Sequence, residues 1–339
     1  MNSDPVRVAC LGAGYFSQFH REAWQRIDGA QLIGVSDRNL EAAQQTGVTA
    51  YADILQMVEA ERPDLLDIIT PPPTHLPAIR LAIESGVGAI VCQKPFCSSL
   101  DEARLAVDLA KGAGVRLVVH ENFRFQPWYR KMADVIASGD LGDIHQLSFR
   151  MRTGDGQGPD AYLARQPYFQ KMKRFLVHET AVHWIDVFRF LLGPVGAVYA
   201  DLRKMNPAIE GEDAGYIIFE MTNNRRALFD GNRLLDHASQ NTRLTFGEAL
   251  VEGTAATLEL KGNGAIFFRK FGEMEQQTIL EPRQWPGFAG DCVHALQAHV
   301  VSALRNGSEI ENEASEYLRV IEIEEAIYRS AATGQKQEI

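Results

Sequence analysis

Three short stretches of the chain carry side chains able to move protons or charge. The first is His178-Glu179-Thr-Ala-Val-His183-Trp-Ile-Asp186, in a segment over residues 178–192 that predicts a helix stopped by Gly193-Pro194. Glu179, His183 and Asp186 stand at i, i+4 and i+7, which at 100° per residue puts them within about 60° of one face. Ala181, Ile185, Phe188 and Leu192 fall on the opposite side as a packing stripe. Two carboxylates flanking an imidazole can fix its tautomer and raise its basicity, as a base for an alcohol proton requires. A solvent-facing polar stripe has the same spacing. Glu179 and His183 could supply two metal ligands, but no third is evident nearby, so no metal is expected. The second stretch is Cys92-Gln93-Lys94-Pro95, where Lys94 follows an apolar run. A lysine there can hold a substrate oxygen by a charge-assisted hydrogen bond or stabilise a developing alkoxide; a solvated surface lysine is the ordinary alternative. The third is Asp67-Ile-Ile-Thr70-Pro71-Pro72-Pro-Thr74-His75, a strand end, a proline-rich turn and a helix start, with Thr74 as expected N-cap.

These stretches need elements to position them, and the first forty residues supply the frame. Val6–Leu11 predicts a buried strand that runs into Gly12-Ala-Gly14-Tyr15-Phe16-Ser17 and then a helix over Gln18–Ile27. A second apolar run, Gln31–Ser36, ends at Asp37. Strand, glycine turn, helix, strand, acid is the dinucleotide-binding pattern. Gly12 permits the tight turn, and Gly14 lets backbone N–H groups approach a pyrophosphate at the positive end of the helix. The third glycine position is Ser17, still small enough for close packing. Asp37 lies 25 residues beyond Gly12, near the spacing of about 20 for a carboxylate that binds ribose hydroxyls. That acid favours NAD; the neighbouring Arg38 keeps NADP as the alternative.

Helices are expected near Asn39–Thr46, Asp53–Ala60, Thr74–Ser85 and Ser99–Ala113, and strands at Leu65–Thr70, Ala89–Gln93 and Val115–His120. The strands are continuous apolar runs, as in a parallel sheet covered on both faces. Ligands bind beyond the C-terminal strand ends of such a sheet, which places Thr70, Pro71, Pro72, His75 and Lys94 at the cofactor edge. After His120 the pattern changes. A helix at about Trp128–Ser138 precedes strand-like alternation at Ile144–Arg152 and a polar, glycine-rich stretch, Thr153–Asp160. Further strands are expected at Ala197–Arg203, Ala214–Met221, Arg226–Asn232, Thr242–Phe246, Thr257–Leu260 and Ala265–Phe271, and closing helices near Gly290–Arg305 and Ala314–Ala331. This suggests one largely antiparallel sheet.

With 339 residues, two domains are expected. A formal net charge of −10 opposes non-specific binding to nucleic acid or anionic membrane. No apolar run approaches the roughly 20 residues that span a bilayer, and the N-terminal MNSDPVR lacks the pattern of a secretory signal. Cys10, Cys92, Cys97 and Cys292 match no zinc spacing and imply no disulfide, so core thiols in a reduced cytoplasm are expected.

Taken in order, VRVACLGAGYFSQFH, DIITPPPTH, QKP, ENFRFQP, HETAVHWIDVFRFLLG and EAIYRSAATG resemble the glucose–fructose oxidoreductase / inositol dehydrogenase / rhizopine catabolism (Gfo/Idh/MocA) family, over essentially the full length. The resemblance implies an α/β fold: an N-terminal Rossmann domain with a doubly wound parallel sheet, about 1–122, and a C-terminal α/β domain with a large, mostly antiparallel open-faced sheet, 123–339. It implies a nicotinamide-dependent oxidoreductase acting on sugars or polyols, and a homodimer or homotetramer joined through that sheet. The family's E-K-P lysine falls on Lys94, its D-x-x-x-H histidine on His183 and its helix aspartate on Asp186. Two departures are plain: E-K-P reads Gln93-Lys94-Pro95, and the aspartate before the histidine is Glu179. The CQKP and HENFRFQPW variants resemble aldose dehydrogenases of the apiose-dehydrogenase type.

On that resemblance His183 takes a sugar hydroxyl proton while hydride leaves the same carbon for nicotinamide, Lys94 stabilises the oxygen, and Glu179 and Asp186 orient the imidazole. Gln93, Pro95 and Asn122 join the cofactor edge. Asn122 and Arg124 are expected substrate contacts, and Tyr162, Tyr168 and Arg174 lie in an irregular segment that either covers the sugar or is a loose surface loop. A keto-sugar reductase, a redox-neutral enzyme with retained NAD, and a nucleotide-binding sensor without turnover are the alternatives; retained Lys94 and His183 argue against the last.

Overall fold

The computed structural model describes residues 4–339; the first three residues of the N-terminal segment MNSDPVR lie outside the described residues. Its first half alternates strand and helix as the apolar runs dictate: β1 (Val6–Leu11), α1 (Ser17–Arg26), β2 (Ala30–Ser36), α2 (Leu40–Gln44), β3 (Ala50–Tyr51), α3 (Ile54–Glu61), β4 (Leu65–Ile68), α4 (His75–Glu84), β5 (Ala89–Gln93), α5 (Leu100–Ala113) and β6 (Arg116–His120). These strands pair in parallel in the order β3-β2-β1-β4-β5-β6. That is the doubly wound order, whose reversal between β1 and β4 opens a crevice at the C-terminal strand ends. Every residue of β4 and β5 is buried, as helices on both faces require.

Local signals set the helix ends. Ser99 Oγ accepts the Glu102 N–H at 3.2 Å, the Glu102 carboxylate takes the Ser98 N–H at 3.0 Å, and Gly114 ends α5 at φ +69°. Thr74 does not cap α4 as expected. A 3-10 turn over Pro72–Thr74 runs straight into the helix and gives Thr74 near-helical angles, so its hydroxyl donates back to Pro71 O at 2.8 Å.

The rest of the chain forms α6 (Pro127–Ser138), β7 (Ile144–Met151), α7 (Val182–Leu192), β8 (Val195–Arg203), β9 (Ala214–Met221), β10 (Arg226–Asn232), β11 (Gly247–Gly253), β12 (Ala256–Leu260), β13 (Ile266–Lys270), β14 (Gln277–Leu280), α8 (Cys292–Asn306), α9 (Ala314–Thr333) and β15 (Gln337–Glu338). The second sheet runs β14-β13-β12-β11-β7-β10-β9-β8-β15, antiparallel throughout except between β7 and β10. The expected strand at Thr242–Phe246 is instead a turn. Phe246 sits at φ +62° and the chain enters the sheet only at Gly247, where a Cβ would lie 1.9 Å from Arg150 O. Pairing therefore starts one residue later, with Gly247 opposite Met151.

Cross-strand register sorts the two faces of this sheet. Val198, Phe219, Ala227, Leu147, Val251 and Leu258 form one transverse row, and all are buried. The next row, Tyr199, Ile218, Leu228, Ser148 and Leu250, is half-buried or exposed. One face is core; the other is uncovered yet partly apolar.

The chain divides into two compact units, one up to Asn122 together with Asp291–Arg319, the other Phe123–Gly290 with Val320–Ile339. Residues 291–319, expected in a second domain, fold with the first unit. There α8 lies against α1, and Arg26 pairs with Asp291 at 2.5 Å.

Candidate functional site

In the first unit the glycine turn has the shape its sequence calls for. Gly12 adopts φ +111°, and a Cβ there would stand 2.6 Å from Ile69 O, so only glycine fits. At Gly14 a Cβ would meet no protein atom within 4 Å. The space over the turn is thus open to a close backbone approach, and on this observation the turn fits a dinucleotide pyrophosphate. Ser17, fully buried at the start of α1, donates its hydroxyl to Gly14 O at 2.6 Å and accepts from Arg21 Nη1 at 2.6 Å. A hydroxyl ties down the turn where a third glycine would only have left room. Asp37 Oδ2 accepts the Ala13 N–H at 2.7 Å, and Oδ1 accepts the Asn39 N–H at 2.8 Å. The acid is therefore locked to the glycine turn itself. Tyr15 and Arg38 are exposed beside it, and Phe16 packs edge-on against His20.

At the neighbouring strand ends, Thr70 and Thr74 share a hydroxyl–hydroxyl bond of 2.6 Å. His75 is fully buried; its Nε2 meets Thr70 O at 2.7 Å and its Nδ1 accepts the Cys97 N–H at 3.2 Å. Burial pushes this imidazole down to about 4. His75, a neutral imidazole, braces the Thr70–Thr74 turn against the loop after β5. Gln93 is buried at the end of β5, and the half-buried Lys94 and Pro95, joined by a cis peptide, follow it. Asn122 is 3% exposed. The four cysteines are buried, and burial raises their thiols, Cys97 to about 12.

In the second unit the helix bearing His183 is buried all round from Val182 to Phe188. His183 and Asp186 are 7% and 1% exposed, and Ile185 and Phe188 on the apolar side are fully buried. A solvated polar stripe does not describe it. Residues Leu176–Ala181 are wound as a π-helix before α7 begins at Val182. The 100° step therefore relates His183 to Asp186 but not to Glu179, which sits in the wider turn. Glu212 Oε1 anchors that turn by accepting the Phe175 and Val177 N–H groups, each at 3.1 Å, and the Tyr328 hydroxyl at 2.7 Å. Arg233, buried among aromatic rings and 3.5 Å from Asp155, reaches Thr180 Oγ1 from the sheet side.

The His183 ring lies flat on Phe123, centroids 3.8 Å apart and planes 6° from parallel. Asp186 gives both oxygens to Arg124, at 2.8 Å from Nε and 2.5 Å from Nη2. Arg124, expected to face substrate, is half-buried and holds Asp186 in this bidentate pair. The irregular segment is no loose loop. Tyr162, Phe169 and Phe175 form an apolar cluster with Ile209, and Asn206 Nδ2 reaches the Gly156 and Gly158 carbonyls at 2.7 and 2.8 Å. Tyr162 is buried, Tyr168 is exposed, and Arg174 pairs with Glu325 and stacks over Tyr328.

Sequence reasoning missed Phe123, Glu212, the Arg233–Asp155 pair, and His20 with Asp67. Only Asp67 carried a signal: one carboxylate inside the apolar run LLDII.

A family model described as oxidoreductase family, NAD-binding Rossmann fold, matches residues 6–121. A model of the GFO/IDH/MocA C-terminal domain matches residues 129–259. A D-apiose dehydrogenase from Paraburkholderia graminis is 33% identical over 98% of this chain and 89% of its own length. A second, from Rhizobium rhizogenes, is 29% identical over 100% of this chain and 99% of its own. Among solved structures, an oxidoreductase from Agrobacterium radiobacter, in complex with NAD+, L-tartaric acid and magnesium, superposes with a TM-score of 0.88 at 26% identity, covering 98% of both chains.

Proposed function

The chain belongs to the GFO/IDH/MocA family of oxidoreductases with an NAD-binding Rossmann fold, and we propose that within it this protein is an NAD-dependent sugar dehydrogenase acting on an aldose of the D-apiose kind. The observation that carries this substrate class is the full-length likeness to D-apiose dehydrogenases. The turn that leaves open space above Gly14, with Asp37 fixed to Ala13, supports NAD as the cofactor.

NAD, when bound, supplies the hydride acceptor for the carbon that bears the reacting hydroxyl. Gly12, Gly14 and Ser17 shape the turn that holds its pyrophosphate, and Asp37 takes its ribose hydroxyls. Thr70, Pro71, Pro72, Gln93, Pro95 and Asn122 complete the cofactor edge of the first unit. His183 accepts the hydroxyl proton, and the flat contact with Phe123 holds its ring plane. Lys94 stabilises charge on the substrate oxygen. Glu179 and Asp186 act on the imidazole from its own helix, Asp186 with its charge shared by Arg124. The uncovered sheet face, with Tyr199, Ile218 and Leu228 on it, supports a homodimer or homotetramer assembled through residues 195–280.

The test is absorbance at 340 nm with NAD and with NADP against a panel of aldoses, D-apiose included, and polyols. NADH formation with an aldose supports the proposal. NADH formation with polyols alone, or dinucleotide binding without turnover on any sugar, contradicts it.

A further inference from the structure

The first unit contains a buried hydrogen-bond chain that ends on Lys94. The Lys94 N–H is an irreversible donor and meets Gln93 Oε1 at 2.7 Å. That contact fixes the orientation of the amide, so Gln93 Nε2 faces His20 Nε2, at 3.1 Å. An amide NH2 only donates, which leaves His20 Nε2 as the acceptor. The ring proton then belongs on Nδ1, 2.8 Å from Asp67 Oδ2. Trp24 Nε1, also a donor only, reaches the same oxygen at 2.7 Å and confirms it as an acceptor. His20, Trp24 and Asp67 are at most 1% exposed, so the links from His20 and Trp24 to Asp67 are closed to bulk water. The titratable groups facing His20 are Asp67 on β4 and His120 on β6, whose ring centroid is 4.0 Å away with the planes tilted by 32°; the Cys10 thiol lies near Asp67. Gln297 of α8 is the remaining polar neighbour, and it is neutral.

We propose that His20 is a positioning residue for Lys94: neutral, with its proton on Nδ1, it orients the Gln93 amide and through it the backbone of Lys94. Gln93 and His20 are a matched pair. A glutamate at 93 would present two acceptors. Satisfying both the Lys94 N–H and His20 would then require a proton on His20 Nε2 as well, giving an imidazolium between two buried carboxylates. The neutral residue in Gln93-Lys94-Pro95 is thus tied to a neutral histidine on α1. This inference rests on the role proposed above for Lys94, although the charge state of His20 does not.

The experiment is nitrogen NMR on protein labelled with 15N-histidine at pH 7, the His20 signals being assigned by their loss in His20→Gln. Wild type is expected to show one protonated and one unprotonated ring nitrogen for His20, with the proton on Nδ1. In Gln93→Glu the unprotonated signal is expected to be lost. A wild-type His20 protonated on Nε2, or a Gln93→Glu spectrum unchanged at His20, overturns the pairing. On the same samples, kcat is expected to fall in Gln93→Glu. A Gln93→Glu protein with altered His20 and wild-type kcat overturns the positioning role. Lys94→Met separates the two readings. If it keeps wild-type kcat, the role of Lys94 fails and the positioning role with it, while the nitrogen spectrum still decides the pairing.

Discussion

His183 and Phe123 stack face to face, ring centroids 3.8 Å apart, with Phe123 at 1% and His183 at 7% exposure. A flat aromatic contact restrains how the imidazole can tilt, and Trp184 and Phe246 hold Phe123 from its other sides. A base must present its lone pair in one direction, so the proposed role of His183 makes its ring plane part of the mechanism. Phe123→Leu keeps an apolar filling but loses the flat surface. It is expected to lower kcat by up to about 10²-fold with NAD binding unchanged, measured by steady-state kinetics and fluorescence titration. Wild-type kcat in a folded Phe123→Leu protein would show that the stack is packing only.

In the proposed function Asp37 governs the choice of dinucleotide. Its carboxylate is pinned by the N–H groups of Ala13 and Asn39, so it cannot swing aside for a 2′-phosphate. Higher kcat/KM with NAD than with NADP is expected, by like-charge exclusion. Asp37→Ser should narrow the difference and also weaken NAD, because it loosens the glycine turn. Equal or better kcat/KM with NADP in wild type would reverse the assignment and give Arg38 the deciding role.

The buried His75 makes stability depend on pH. Burial holds its folded value down to about 4, against an ordinary value of 6.5. Between these values the unfolded chain binds more protons than the folded one, so stability rises with pH. The contribution is complete above the unfolded value and is lost as pH falls toward the folded one. At about 1.4 kcal/mol per unit, His75 accounts for a loss of about 2 kcal/mol between pH 7 and pH 5. Urea midpoints at the two pH values should therefore drop less in His75→Asn than in wild type. Equal drops would mean that His75 is not the titrating group.

Assembly is tested on the sheet face. Tyr199, Ile218 and Leu228 stand in register across β8, β9 and β10 on the side away from the core. Light scattering at micromolar protein is expected to give a dimer or tetramer, and Ile218→Asp combined with Leu228→Asp to shift it toward monomer. A wild-type monomer, or an oligomer unmoved by the pair, removes this face from the interface.

What the sequence made legible follows its physics. β4 and β5 are apolar but for Asp67 and Gln93, and such runs have few homes other than a parallel sheet covered on both faces. Gly12 was legible because its turn tolerates no side chain. By contrast, the π-helix at Leu176–Ala181 depends on Glu212 and Arg233, distant in sequence, and helical periodicity cannot register a turn held open by such partners. That Asp186 also pairs with Arg124 through both its oxygens was not legible, because tertiary contact sets that pairing. Residues 291–319 carry an ordinary amphipathic pattern, which says that a helix forms but not on which unit it packs.

The role of His183 as proton acceptor is tested most directly by one paired measurement on His183→Ala: the dissociation constant for NAD and kcat on the sugar that wild type oxidises. Removing a general base typically costs about 10²–10⁴-fold. A loss in that range is expected, with NAD binding unchanged, since His183 lies in the second unit and the glycine turn and Asp37 in the first. Lys94→Ala should behave likewise, and Glu179→Gln should be milder. A folded His183→Ala protein with kcat within about threefold of wild type, far short of the loss a missing base brings, would contradict the assignment.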